Sequence, residues 1–185
     1  MLSSQWKGYE AMIQPPKPDE YVEYYGGYIR FVPAGADVFA LMAAQPEELR
    51  TLLRPVSEAQ TEVRPAPGEW SIKEVLGHIT DTERVMSYRA LWIARGNATP
   101  LPGFEQDDFV RGTDFNRRSL RDLLDEFAFH RQANLLCFRP LTEAEIDRRG
   151  TASGYPFSVR ALLYILPGHV MHHIESLKRD YHVGG

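Results

Sequence analysis

Apolar positions recur at helical spacing through most of this chain. The clearest stretch opens at Ser71, after which Ile72, Val75, Leu76, Ile79, Met86, Ala90 and Ile93 form one stripe. Ser71 and Glu74 match a capping box, in which each side chain satisfies an orphan amide of the first turn; Trp70 and Val75 occupy the hydrophobic-staple positions. Gly96 stands where a helix C-terminal glycine belongs. A later segment, Ser119 to Phe138, carries Leu120, Leu123, Leu124, Phe127, Leu135 and Phe138 on one face and stops before Pro140. The last, Ser158 to Tyr181, places Leu162, Leu166, Leu177 and Tyr181 on one side. The first of the four runs from Ala36 to Leu53 with Pro46 inside it, so either a kink or two shorter pieces are expected there.

Strand-like alternation is nearly absent, and the pattern predicts an all-α protein. The stretch "QPPKP" (14–18) reads as an extended leader, giving a leader over residues 1–18 and one bundle domain over 19–185. The tyrosine-rich "YVEYYGGYIRFVP" (21–33) fits a short helix packed on the body, against which the Gly26–Gly27 pair argues. More than twenty residues separate the second and third long helices, where antiparallel neighbours need about two to eight. A four-helix bundle with long crossover connections and some parallel neighbours is therefore expected.

Composition narrows the class without changing the picture. With 185 residues, 43% hydrophobic and 25% charged, the chain is long enough for a core of its own. A formal net charge of −4 argues against unspecific nucleic-acid binding. No apolar run is long enough to cross a bilayer and no secretory signal opens the chain, so a cytoplasmic protein without a membrane partner is expected. Cys137 is the only cysteine. It excludes an intrachain disulfide and a cysteine-rich zinc site, and any metal must be held by imidazole or carboxylate.

Three of the six histidines fall in "LPGHVMHHIESL" (166–177). His169 and His173, four apart, share a helix face with Leu162, Leu166 and Leu177 and can both reach one ion at about 2.0–2.1 Å; His172 turns toward the edge. Such a pair also arises by chance, and a third ligand has to strengthen it. His78, at the border of the second helix's apolar stripe, is the candidate; the alternative is a hydrogen-bonded border residue. Three imidazoles with an open position would make the catalytic arrangement, and they do not discriminate among zinc, nickel, iron and copper. The segment "HVMHH" lacks the glutamate of HExxH metalloproteases, which excludes that mechanism. Pro167 and Gly168 suggest a kink that aims His169, or the start of a shorter helix.

Other polar groups carry two readings each. Glu83, on the buried arc, is a candidate general base or the partner of Arg131 in a structural ion pair. His130, Arg131 and Asn134 interrupt the apolar face of the third helix, as a pocket lining or as a buried hydrogen-bond network. Asp81 is a candidate to orient His78. The acidic loop "PLPGFEQDD" (100–108) is a candidate binding element.

The segments "RPAPGEWSIKEVLGHITDTERV", "YRALWIARGNATPLPGFEQDDFV" and "GTASGYPFSVRALLYILPGHVMHHIESL" closely resemble the DinB-like (DinB/YfiT) superfamily of bacterial metal-binding four-helix bundles, from about Tyr21 to Tyr181. The resemblance implies a left-handed bundle with long crossovers, commonly a homodimer, and one divalent transition metal ion held by His78, His169 and His173, with His172 outside the ligand set. It also implies an enzyme acting on a small molecule. Relatives include S-transferases that use bacillithiol, mycothiol or glutathione, a mycothiol-dependent maleylpyruvate isomerase and many metal-dependent hydrolases. The expectation is accordingly a thiol-dependent S-transferase with a low-molecular-weight thiol as co-substrate, with a hydrolase or a non-catalytic metal-binding stress-response protein as alternatives. Glu83, His130 and Arg131 are the catalytic candidates. Pro167 departs from the helix-compatible residue usual in relatives.

Overall fold

A computed structural model describes residues 12–184 of the chain. Its helices in chain order are α1 (Glu23–Ile29), α2 (Val38–Leu53), α3 (Glu58–Thr61), α4 (Ile72–Ala94), α5 (Gln106–Arg111), α6 (Leu120–Phe138), α7 (Glu143–Ile146) and α8 (Val159–Asp180). The four long ones, α2, α4, α6 and α8, form the bundle. Each starts at a residue whose side chain accepts from its own first turn: Asp37, Ser71, Ser119 and Ser158. Such a cap is worth about 1 kcal/mol. At α4 the box is complete, since Glu74 returns to the Ser71 amide at 2.7 Å. Both prolines lie inside continuous helices, Pro46 in α2 and Pro167 in α8.

Contacts along the helices set their directions. Arg50 meets Asp125 and Gln45 meets Arg131, so α2 and α6 run oppositely. The Tyr181 hydroxyl, at the end of α8, donates to the Trp70 carbonyl just before α4, which makes those two antiparallel. Arg84 pairs with Glu126 and Glu83 with Arg131, while Asn116, ahead of α6, meets Ser71 at the start of α4. Helices α4 and α6 are therefore parallel neighbours. The long 95–119 connection is the return path this demands. It runs back along α4 and seats Phe115 against Gly77, where a Cβ would fall 2.2 Å from the ring.

One element departs from the all-α pattern. Strands β1 (Arg149–Ala152) and β2 (Tyr155–Ser158) form an antiparallel hairpin closed by Ser153 and Gly154, both at positive φ. Four residues per strand are too few to display a period, and the Ser-Gly dipeptide signals only a turn. Leu101 from the crossover joins β1 through hydrogen bonds with Thr151 and Ser153. The segment ahead of Asp19 does not stand apart from the body where it is described. Ile13 is buried in the core and its carbonyl accepts from the Tyr164 hydroxyl at 2.8 Å. No helix among the described residues is long and apolar enough to cross a membrane.

The core has two apolar parts. One gathers Leu49, Leu76, Leu123, Phe127 and Ile174; the other gathers Met42, Met86, Phe138, Leu162 and Leu166. A belt of buried polar groups separates them. Arg131 donates to Gln45 at 3.0 Å and Glu83 at 2.9 Å, Asn134 donates to Glu83 at 2.8 Å, and Gln45 donates to the Pro167 carbonyl at 2.8 Å. The belt ties all four long helices together next to the histidines.

Across the outside of α8, α1 packs against Gly168. A Cβ there would meet the Tyr28 carbonyl oxygen at 2.1 Å, and the close approach sets the Tyr28 ring 5.1 Å from His169. Gly168→Ala should therefore push α1 off the bundle. The expected cost is about 1–3 kcal/mol, read from the urea midpoint, with far-ultraviolet circular dichroism nearly unchanged.

Candidate metal centre and its cavity

His78 sits two turns into α4, and His169 and His173 lie one turn apart in the middle of α8. Antiparallel packing of the two helices sets them face to face. The Nε2 atoms of His78 and His169 are 3.0 Å apart and those of His173 and His169 3.1 Å apart; all three donors lie within 4.8 Å of one another. Four-coordinate binding at 2.0–2.1 Å requires ligand atoms about 3.3 Å apart. The arrangement needs only small adjustment to meet that.

All three side chains are buried, with exposures of 2%, 4% and 9%. Burial, and next the field of His172, pulls His78 down to about 4. Burial, then His173, holds His169 well below the ordinary imidazole value, and burial, then His78, does the same for His173. Neutral imidazoles are the form that binds a metal. Their geometry also asks for one. The single lone pair or hydrogen on His169 Nε2 can serve only one of the two nitrogens that face it, whereas an ion at the centre takes a lone pair from all three.

Surrounding groups hold the rings. The Thr82 hydroxyl, one turn along from His78, lies 3.4 Å from its Nδ1, and the Trp70 ring packs 4.7 Å from it. In the tautomer whose Nδ1–H donates to this hydroxyl, Nε2 keeps its lone pair free for an ion. Asp81 instead pairs with Arg84 at 3.2 Å. The i, i+4 spacing of His78 and Thr82 was the available signal for this partner. His172 meets Tyr28 and Phe31 edge to face, at ring-centre distances of 5.3 and 5.6 Å, outside the cluster. Both Glu83 oxygens are engaged, by Arg131 and Asn134. His130 meets Ser87 at 3.4 Å and is not among the converging groups.

A cavity of about 470 Å³ opens at His169. Its walls are Tyr24, Tyr25 and Tyr28 of α1, Thr82 and Met86 of α4, Ser153 and Tyr155 of the hairpin, and residues 103–107 of the crossover. The acidic loop singled out in the sequence thus lines the approach to the histidines, brought there by the Leu101 bridge. The tyrosines and the hairpin carried no sequence signal for this role, because packing of α1 on Gly168 sets the tyrosines there and the Leu101 bridge ties the hairpin to the crossover.

The DinB superfamily model matches residues 41–177, which include all three histidines. Among solved structures, YfiT from Bacillus subtilis, described as a probable metal-dependent hydrolase with an unusual four-helix bundle topology, aligns at a TM-score of 0.68. The alignment covers 89% of this chain and 91% of that one at 15% identity, a likeness of fold. No curated protein matches the sequence. With the family model extending over most of the chain, from α2 to the last turns of α8, this protein belongs to the DinB superfamily.

Proposed function

We propose that the protein is a metal-dependent enzyme that holds one divalent ion through His78, His169 and His173 and catalyses transfer of a small thiol to an electrophile. The observation that carries this reading is the convergence of three neutral imidazole nitrogens beside a cavity. A divalent ion so bound supplies acidity to a thiol or water that reaches its open side. The chain's own residues do the rest. Thr82 and Trp70 orient His78, Tyr28 shields His169, and the tyrosine-lined walls enclose a small organic substrate.

Thiol transfer is favoured over hydrolysis by what stands near the histidines. Glu83 is paired with Arg131 and Asp81 with Arg84, so neither is free to take a proton from water during attack, and the cavity-wall carboxylates left unpaired among the described residues, Glu105 and Asp107, are solvent-exposed on the crossover. A thiol already acidified needs no such base. Its proton goes to solvent, sulfur bonds to the electrophilic carbon, and the leaving group departs with its electron pair.

Protein purified without an affinity tag should be assayed with bacillithiol, mycothiol and glutathione against monochlorobimane, and separately with a para-nitrophenyl ester. Conjugation that a chelator abolishes and divalent metal restores is the expected result. Metal-dependent ester hydrolysis without thiol dependence would replace transferase by hydrolase, and absence of both activities would remove catalysis from the reading.

A further inference from the structure

The cavity that opens at His169 has a lining chemistry of its own. Its charged lining residues are Glu105 and Asp107, and no lysine or arginine is among them. Both carboxylates are solvent-exposed, and neither forms an ion pair among the described residues. Nor is Glu105 spent on the fold, since at the N-terminal cap position of α5 its side chain accepts from no amide there. Asp108, the third acidic residue of this short stretch, pairs with Arg111. The wall keeps an excess of negative charge, which a cation in the cavity would offset.

Aromatic rings supply much of the remaining wall. Tyr24 stands nearly perpendicular to Tyr25, at a ring-centre distance of 5.0 Å, and to Tyr28, at 6.1 Å. Phe104 and Tyr155 also line the cavity. Tyr24 and Tyr155 keep 63% and 50% of their surface in water. An aromatic ring carries negative charge over its face, so angled rings beside carboxylates attract an organic cation and disfavour an anion. Arg89, buried and not part of the lining, keeps both Nη2 hydrogens on the Ser153 hydroxyl and the Pro102 carbonyl. Its charge acts on Tyr25, which assigns a second cation to the rings of Tyr24 and Tyr28 instead.

We propose that the small molecule taken by this cavity carries an alkylammonium group, held by the rings of Tyr24 and Tyr28 and the carboxylates of Glu105 and Asp107, with its reactive end toward His169. That the cavity is the substrate site rests on the reading of the preceding section. The recognition of charge does not, because rings and carboxylates supply it without the ion.

Choline and 3,3-dimethylbutan-1-ol, which has the same shape with carbon in place of the charged nitrogen, are the probes. Each is titrated by calorimetry into the protein as purified and again after chelator treatment. Choline should bind both preparations alike, and the neutral alcohol at least about tenfold more weakly. The alcohol binding as tightly as choline, no choline binding at all, or loss of choline binding on chelation would overturn the assignment. Tyr24→Leu should weaken choline at least about threefold, while Tyr24→Phe, which keeps the ring, should not. Glu105→Gln combined with Asp107→Asn should weaken choline about threefold or more and leave the alcohol unchanged. Unchanged choline affinity in Tyr24→Leu or in the paired variant would overturn it as well. All three side chains are exposed, so these substitutions leave the core untouched, and the comparison of the two probes needs no variant. Choline binding without thiol transfer would count against the transferase reading alone, and thiol transfer without choline binding against this assignment alone.

Discussion

His169→Ala should reduce bound metal from about one ion per chain to near zero after dialysis against a weak chelator, whereas His172→Ala should leave it nearly intact. The asymmetry follows from geometry. His169 Nε2 is the central atom of the cluster, 3.0 Å from His78 and 3.1 Å from His173. Without it, two imidazoles from different helices remain, and the loss should exceed the roughly 10–100-fold that outer partners contribute. His172 is adjacent in sequence but half-buried against Tyr28 and Phe31, with no nitrogen in the cluster. Elemental analysis of the two variants at equal concentration is the measurement. Equal losses would mean that the ligand set is drawn wrongly.

The largest stability effect is expected at Arg131. Arg131→Ala should destabilise the fold by about 3–5 kcal/mol, read from urea midpoints, because it strands the Glu83 carboxylate in the interior. Arg131 is fully buried and Glu83 nearly so. The guanidinium also donates to Gln45 and lies 5.0 Å from the centre of the Phe127 ring. The paired replacement Arg131→Met with Glu83→Leu should cost much less than Arg131→Ala, since it removes both charges together. If the double variant is as unstable as the sum of the two single ones, the ion pair is not what the belt depends on.

Much of this architecture was legible along the chain. The four long helices, the Ser71 capping box and the buried stripes follow from spacing and from orphan amides, which are local matters. The long 95–119 connection announced a crossover for the same kind of reason, since parallel neighbours need a return path. Pro46 and Pro167 were harder to read. A proline removes one hydrogen bond, and whether a helix breaks there depends on what surrounds it. Around Pro167 the Gln45 amide on the proline carbonyl and α1 seated on Gly168 accompany an unbroken helix.

The candidate site divides in the same way. The spacing of His169 and His173, and their place on an apolar arc, are properties of one helix and needed nothing else. The sequence offered His78 as a third donor and Arg131 as one of two readings for Glu83, because single-helix geometry carries no information about which face meets which. Only the tertiary structure brought His78 to within 3.0 Å of His169, spent both oxygens of Glu83 on the belt and turned Thr82 toward His78. The cavity is wholly a product of packing. Its walls come from α1, α4, α8, the hairpin and the crossover, segments far apart in sequence whose proximity no periodicity encodes.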